Sequence, residues 1–262
     1  DLVGPIVELC LSVHASLRSV ATEILRSMVV SAWELDEDLS IIQTAMIDCL
    51  DKLCRKQNVS EALLHKTFIT EMMTQFAPLK GSEEDSLYQA VIVMFSKIED
   101  LLGMLGNVHS GDRVSNEPTQ IMNTLRLMEF LHNVQSEEAY VRYVHQLANM
   151  QSNAGNHTEA GLALQLHADR YQWDTTAQVS ELKELELPSQ KAFERKEALY
   201  VHMVQHFELG QCWQKVLSVY KELARQYETN IFDFAKLARA QRAMASVHEK
   251  IAKNERSIPR YF

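Results

Sequence analysis

From Leu17 to Ile251 the apolar residues of this chain recur every three or four positions, with few breaks. That period lines apolar side chains along one side of an α-helix, whereas a strand needs a period of two. Leu17, Val20, Ala21, Ile24, Leu25, Met28 and Val29 form the first stripe. Leu39, Ile42, Met46, Cys49, Leu50 and Leu53 form a second, and Leu64, Phe68, Ile69, Met72, Met73 and Phe76 a third. Ser60 is the expected N-cap of the third helix and Pro78 its stop. Ser82-Glu83-Glu84-Asp85 reads as a capping box that opens a long helix through Leu87, Val91, Met94, Ile98, Leu101 and Leu105.

Further helices are expected over residues 121–134, 136–153 and 158–173, with Gly155 as a left-handed turn between the last two. A polar gap follows, Asp174 to Ser189. Phe193, Leu199, Tyr200, Met203, Val204 and Phe207 make the next stripe, ended by Gly210. Trp213, Val216, Leu217, Tyr220, Leu223, Ala224 and Tyr227 follow it. Asp233 is placed to cap a last helix through Leu237, Met244, Val247 and Ile251. Pro5, Pro78, Pro118, Pro188 and Pro259 all sit at the edges of these segments, where a missing N–H costs little. The clearest break is Gly106 to Pro118, which has glycines, serines and polar residues but no stripe, and we expect a domain boundary there.

About eleven helices and no strand result. Amphipathic helices of this size are marginal alone, so they must pack on one another. Helix pairs joined by short turns predict an all-α fold, an antiparallel helix array or α-solenoid. No fixed repeat period is present, so any repeats are degenerate. The chain has 8 Gly and 5 Pro in 262 residues, well under the roughly 12% of an average chain, which argues against sandwiches, barrels and flexible linkers. It opens without Met, inside an apolar pattern at Asp1-Leu2-Val3, and is expected to be a fragment of a longer protein.

With 26 basic and 35 acidic residues the net charge is −9. A phosphate-binding surface needs a basic stripe, so neither nucleic acid nor anionic lipid is an expected partner. No apolar run reaches the roughly 18 residues of a membrane span. Cys10, Cys49, Cys54 and Cys212 show no C-x-x-C spacing and read as reduced thiols of a cytosolic protein.

Chemistry-bearing patterns are sparse. His202 and His206 stand at i, i+4 and could seat zinc, but a metalloprotease helix would carry Glu where Met203 stands, and no third ligand is near. No phosphate-cradling glycine loop or nucleophile elbow occurs. Glu181, Glu184 and Glu186 read as a solvated acidic face, Met72, Met73 and Met203 as core filler. Tyr171, Trp173 and Trp213 read as packing aromatics, and Trp213→Ala is expected to leave a core cavity costing roughly 3–5 kcal/mol. The residues alone therefore assign no catalytic, cofactor-binding or metal site, and describe an all-α scaffold.

The C-terminal half carries a more specific signal. Tyr140-Val-Arg-Tyr-Val-His-Gln-Leu147 is followed by Asn156-His-Thr-Glu-Ala160 and a leucine-rich helix closing on Trp173. Then come Arg195-Lys-Glu-Ala-Leu-Tyr200, Phe207-Glu-Leu-Gly-Gln-Cys-Trp213, Lys221-Glu-Leu-Ala-Arg-Gln-Tyr-Glu228, Phe232-Asp-Phe-Ala-Lys-Leu237 and Pro259-Arg-Tyr-Phe262. This ordered series resembles the start of the second DOCK homology region of the DOCK (dedicator of cytokinesis) family. Leu2 to Met28 and Ile47 to Leu53 are similar to the helical repeats that precede that region.

The resemblance implies three parts: armadillo-like helical repeats over residues 1–110, a linker at 111–118, and over 119–262 the region's first lobe (lobe A), a tetratricopeptide-like array. It implies a parent that exchanges guanine nucleotide on Rac-type Rho-family GTPases, in the cytoplasm, with membrane recruitment and ELMO-type adaptors using other regions. The nucleotide-displacing residues belong to downstream lobes, so this stretch would be a scaffold with no catalytic residue of its own. The alternative is an independent α-solenoid binding a peptide or protein on its concave face. A metal-dependent enzyme on His202 and His206 is a third reading.

Overall fold

The computed structural model describes residues 2–56, 62–82, 85–109 and 117–253. Among them are eleven α-helices: α1 (Val3–Cys10), α2 (Ala15–Asp36), α3 (Ser40–Lys56), α4 (Ala62–Phe76), α5 (Asp85–His109), α6 (Glu117–Asn133), α7 (Glu137–Asn153), α8 (His157–Ala168), α9 (Ala192–Leu209), α10 (Trp213–Thr229) and α11 (Phe234–Ala252). The chain is an all-α helical array. No helix is long and apolar enough to cross a membrane among these residues. The expected N-cap Ser60, the capping-box residues Glu83 and Glu84, the side chain of Leu64, most of the expected linker and Pro259 to Phe262 lie outside the described residues.

The chain divides into two compact units, Asp1–Tyr140 and Val141–Phe262. In the first, helices alternate between two rows. α1, α3 and α5 stack in one row, α2 and α4 in the other, with α1 against α2 and α4 against α5 tying the rows together. α6 packs on α5. Long apolar stripes make this possible: Leu87, Val91, Met94, Ile98, Leu101 and Leu105 of α5 are all buried, as are Met46 and Leu50 of α3 and Phe68, Met72 and Phe76 of α4. Cys10 is buried with them, and burial pushes its thiol up to about 12, helped by Glu71 and Cys49.

One stripe is used differently from expectation. On α2 only Ala21, Leu25 and Val29 of the predicted seven are buried, with Thr22 beside them, while Leu17, Val20 and Ile24 face solvent. The reason is that α2 packs chiefly on α1 and α4, so its narrower buried face follows a four-residue step. Thr22 is satisfied there by donating to Ser19 O and accepting from Gln75 Nε2 at 2.9 Å.

In the second unit α8, α9, α10 and α11 pack as sequential neighbours. α8 ends at Ala168, five residues short of expectation, so Trp173 lies on the connection that follows. That connection is not a plain polar gap. It forms a short antiparallel pair, β1 (Gln178–Val179) with β2 (Gln190–Lys191), and a Leu182–Leu187 bridge. Gly155 is left-handed at φ 81°, as a turn between α7 and α8 requires. Asp233 caps α11, accepting from the Lys236 N–H at 2.9 Å. Trp213 begins α10 half-buried, under the Lys250 ammonium at 5.0 Å, so the cost of a fully buried tryptophan does not apply to it.

α8 and α9 approach unusually closely. A Cβ on Gly161 would stand 2.6 Å from the Phe207 ring, and one on Gly210 would stand 2.5 Å from Thr158 Oγ1. Phe207 is fully buried. Gly161→Ala is therefore expected to destabilise the chain by about 1–3 kcal/mol, although alanine is the better helix former. Gly103→Ala, in open space on α5, is expected to stabilise it by about 0.5–1 kcal/mol. Urea denaturation of the two variants checks the contrast, and equal shifts would refute the close crossing.

Candidate functional site: a buried polar lattice in the second unit

The densest group of polar side chains gathers where α7, α8 and α9 meet the connection 169–191. Its centre is Arg195, whose side chain is wholly removed from solvent. α9 carries Phe193, Leu199 and Met203 to the core, and Arg195 and Lys196 fall in the same helical phase, so both cations are buried with them.

A buried guanidinium must find acceptors for its donors. Arg195 Nη2 donates to Pro188 O at 2.7 Å and to Ser180 O at 3.2 Å. Nη1 reaches the Tyr171 hydroxyl at 3.5 Å. With its amide oxygen turned inward, Gln190 accepts from Nε at 3.0 Å and from the Arg195 backbone N–H at 3.1 Å. One side chain thus ties four residues of the connection, Tyr171, Ser180, Pro188 and Gln190, to α9.

A hydrogen-bonded chain continues from it. His167 Nε2 lies 3.0 Å from the Tyr171 hydroxyl, and His167 Nδ1 lies 2.9 Å from His145 Nε2. Arginine can only donate, so the order that uses each bond once runs Arg195 to Tyr171 to His167 to His145, with both imidazoles neutral. Burial holds His167 down to about 3 and His145 down to about 4. The neighbouring imidazole and Arg195 push His167 further, and His202 and Arg195 push His145 further.

Around this line, Lys196 Nζ donates to Tyr171 O at 2.7 Å and sits 5.3 Å from the Trp173 ring and 5.7 Å from Tyr200. Burial lowers its pKa. Trp173 packs edge-on to Tyr200 at 5.0 Å, and Asn230 Nδ2 donates to Trp173 O at 2.8 Å. Glu197 accepts from Lys236 Nζ at 2.7 Å and from the Tyr227 hydroxyl at 2.8 Å, binding α9 to α10 and α11. Glu181, Glu184 and Glu186 are exposed, as a solvated acidic face requires, and Glu184 also pairs with the buried Arg142 of α7 at 3.2 Å.

Chemically this is a clamp. Its groups spend their hydrogen bonds on one another and on backbone carbonyls, and they bring together no nucleophile with a base. His202 and His206 are not brought to it as a pair of ligands. His202 is exposed, and His206 stacks on His157 at 6.1 Å. No group of three His, Cys, Asp or Glu side chains is arranged to hold a metal among the described residues. Met203 is core, as expected, and Trp173 is half-buried. The lattice itself was missed from sequence, although Arg195 and Lys196 in the apolar phase of α9 are the signal that could have found it.

Comparison with known proteins places this region. Residues 124–253 match the family described as "DHR-2, Lobe A". The whole chain is 26% identical to mouse Dedicator of cytokinesis protein 4 over 268 residues and to human Dedicator of cytokinesis protein 3 over 270, covering 13% of each. DOCK-like protein 1 of Saccharomyces cerevisiae is 23% identical over 254 residues, which is 95% of this chain and 13% of that protein.

The two depressed histidines predict a pH dependence. Unfolded, each would titrate near 6.5; folded, near 4 and 3. The unfolded chain therefore binds more protons between those values, and stability present above pH 6.5 is lost as pH falls toward 4. At pH 5 the loss is expected to be about 2 kcal/mol per imidazole. Urea denaturation at pH 7 and pH 5 should show it in the natural chain and much reduced in His145→Phe/His167→Phe. An equal loss in both would contradict the lattice.

Proposed function

The chain belongs to the DOCK family, with residues 124–253 as the first lobe of a second DOCK homology region, and from that premise we propose that it is the scaffolding part of a guanine-nucleotide exchange factor. The proposed division is helical repeats over 1–110, a linker at 111–118 and the lobe over 119–262. The exchange would act on Rac-type Rho-family GTPases in the cytoplasm, through lobes downstream of this stretch. ELMO-type adaptors and membrane recruitment would use other parts of the parent. The chain spans 13% of the relatives it matches, so most of such a protein lies outside it.

The observation that carries this reading is the closed lattice around Arg195. Exchange makes and breaks no covalent bond; it requires a surface that binds the nucleotide-loosened GTPase better than the loaded one. Such a surface must be held still by what lies behind it, and a buried hydrogen-bonded network supplies rigidity of that kind. The solvent-facing Leu17, Val20 and Ile24 of α2 fit the same reading, since a helical array leaves an apolar edge where another repeat stacks.

The second reading, an independent peptide-binding array, draws support from an open groove of about 440 Å³ floored by Met203, Phe207 and Val219. Release of fluorescent GDP from a Rac-type GTPase separates the two. The chain extended through the downstream lobes should accelerate release and this chain alone should not. Acceleration by this chain alone, or by neither, would overturn the scaffold reading.

A further inference from the structure

The groove over α9 carries a chemistry that packing alone does not require. α8 and α10 both pack on α9, and the open cavity of about 440 Å³ lies where the three meet. α8 contributes Gln165, and α9 contributes Tyr200 above the floor of Met203 and Phe207. α10 contributes Lys215, Ser218, Lys221, Glu222 and Arg225 beside Val219. Lys215, Ser218, Glu222 and Arg225 recur at steps of three and four, so they share one face of α10.

That face is rich in donors with nothing to donate to. Lys215, Ser218 and Lys221 are exposed and Tyr200 is half-buried. The two ammonium groups and the two hydroxyls have no hydrogen-bond or ion-pair partner among the described residues. The carboxylate in the lining is already taken: Glu222 accepts from Arg225 Nη2 at 2.7 Å, from Arg225 Nε at 3.1 Å and from Gln226 Nε2 at 3.1 Å. A second acid, Asp169, stands near Gln165 Nε2 at 3.5 Å. The Lys196 ammonium lies 5.7 Å from the Tyr200 ring. Four cations and two acids therefore meet around this groove, in a chain with 26 basic and 35 acidic residues.

The ground beneath the donors is apolar. Met203, Phe207 and Val219 are buried there. Charges set beside a low-dielectric wall act over a partner more strongly than charges on an open polar surface. An inorganic anion would engage the rim and leave the Tyr200 ring and the floor untouched. A nucleic-acid strand needs a longer basic track, and its phosphates would meet the field of a chain with net charge −9. A short polypeptide satisfies both parts, with carboxylates for the donors and a side chain for the ring.

We propose that this groove binds an acidic segment of a partner protein, one with Asp or Glu on both sides of an apolar side chain. The carboxylates pair with Lys215 and Lys221, and the Ser218 and Tyr200 hydroxyls donate to carboxylate or backbone oxygens. The apolar side chain seats on the Tyr200 ring and Val219. The proposal deepens the peptide-binding reading and rests on it only in taking the groove as a binding surface. It holds equally for a groove on a scaffold, because it involves no residue of the Arg195 hydrogen-bonded chain.

The test is fluorescence anisotropy on the full chain with a labelled peptide, Glu-Asp-Leu-Phe-Asp-Glu, at low and high salt. It should bind, and weaken as salt rises. The reversal Lys215→Glu/Lys221→Glu, at two exposed positions, should weaken it about tenfold or more. Lys66→Glu/Lys80→Glu, which changes the net charge equally but lies in the first unit, should leave it unchanged. Replacing Leu-Phe of the peptide by Ser-Ser should weaken it about fivefold. Equal weakening by the two reversals, or an unaffected Ser-Ser peptide, would overturn the proposal. So would equal binding of a labelled oligothymidylate, or self-association of the chain abolished by Lys215→Glu/Lys221→Glu, which would assign the groove to nucleic acid or to a second copy. Preference for Lys-Arg-Leu-Phe-Arg-Lys would overturn the acidic assignment and leave a peptide-binding groove. Binding of neither peptide would overturn both.

Discussion

Burial of one guanidinium organises the second unit. A charge without water must be surrounded by acceptors, and Arg195 finds them on four residues of one connection. The connection has no helix of its own beyond a single tight turn, and its two strands are two residues each. Isolated hairpins of that size do not hold in water. What fixes it is the helix beneath, with Lys196 clasping Tyr171 O and Arg142 of α7 pairing with Glu184.

That constraint passes through the rest of the unit. Holding Tyr171 and Trp173 in place positions the aromatic contacts to Phe193 and Tyr200, and the Asn230 bond to Trp173 O links the end of α10 to the same point. On α8, which Gly161 lets pack close on α9, His167 reaches both His145 of α7 and the Tyr171 hydroxyl. A lobe built this way offers a fixed surface to whatever packs on it, which is what a supporting role requires.

Much of the fold was legible in the sequence because its helices obey one period. The stripes of α3, α5 and α9 predicted their buried faces almost residue by residue, and Gly155 and Asp233 marked a turn and a cap. Legibility failed where burial does not follow periodicity. On α2 the stripe is wider than the two helices that cover it, so Leu17, Val20 and Ile24 stay exposed. The connection 169–191 is held by side chains meeting backbone carbonyls, and carbonyls leave no trace in residue type. Arg195 and Lys196 were visible only as cations in an apolar phase.

The central claim is that Arg195 holds the connection while the helices hold themselves. Native-state hydrogen exchange on the natural chain and on Arg195→Leu tests it most directly. The account predicts that amides of Leu182, Leu187 and Ala192, bonded within the connection or across to α9, lose protection in the variant while the α10 and α11 amides keep theirs. Unchanged protection at those three positions would contradict it.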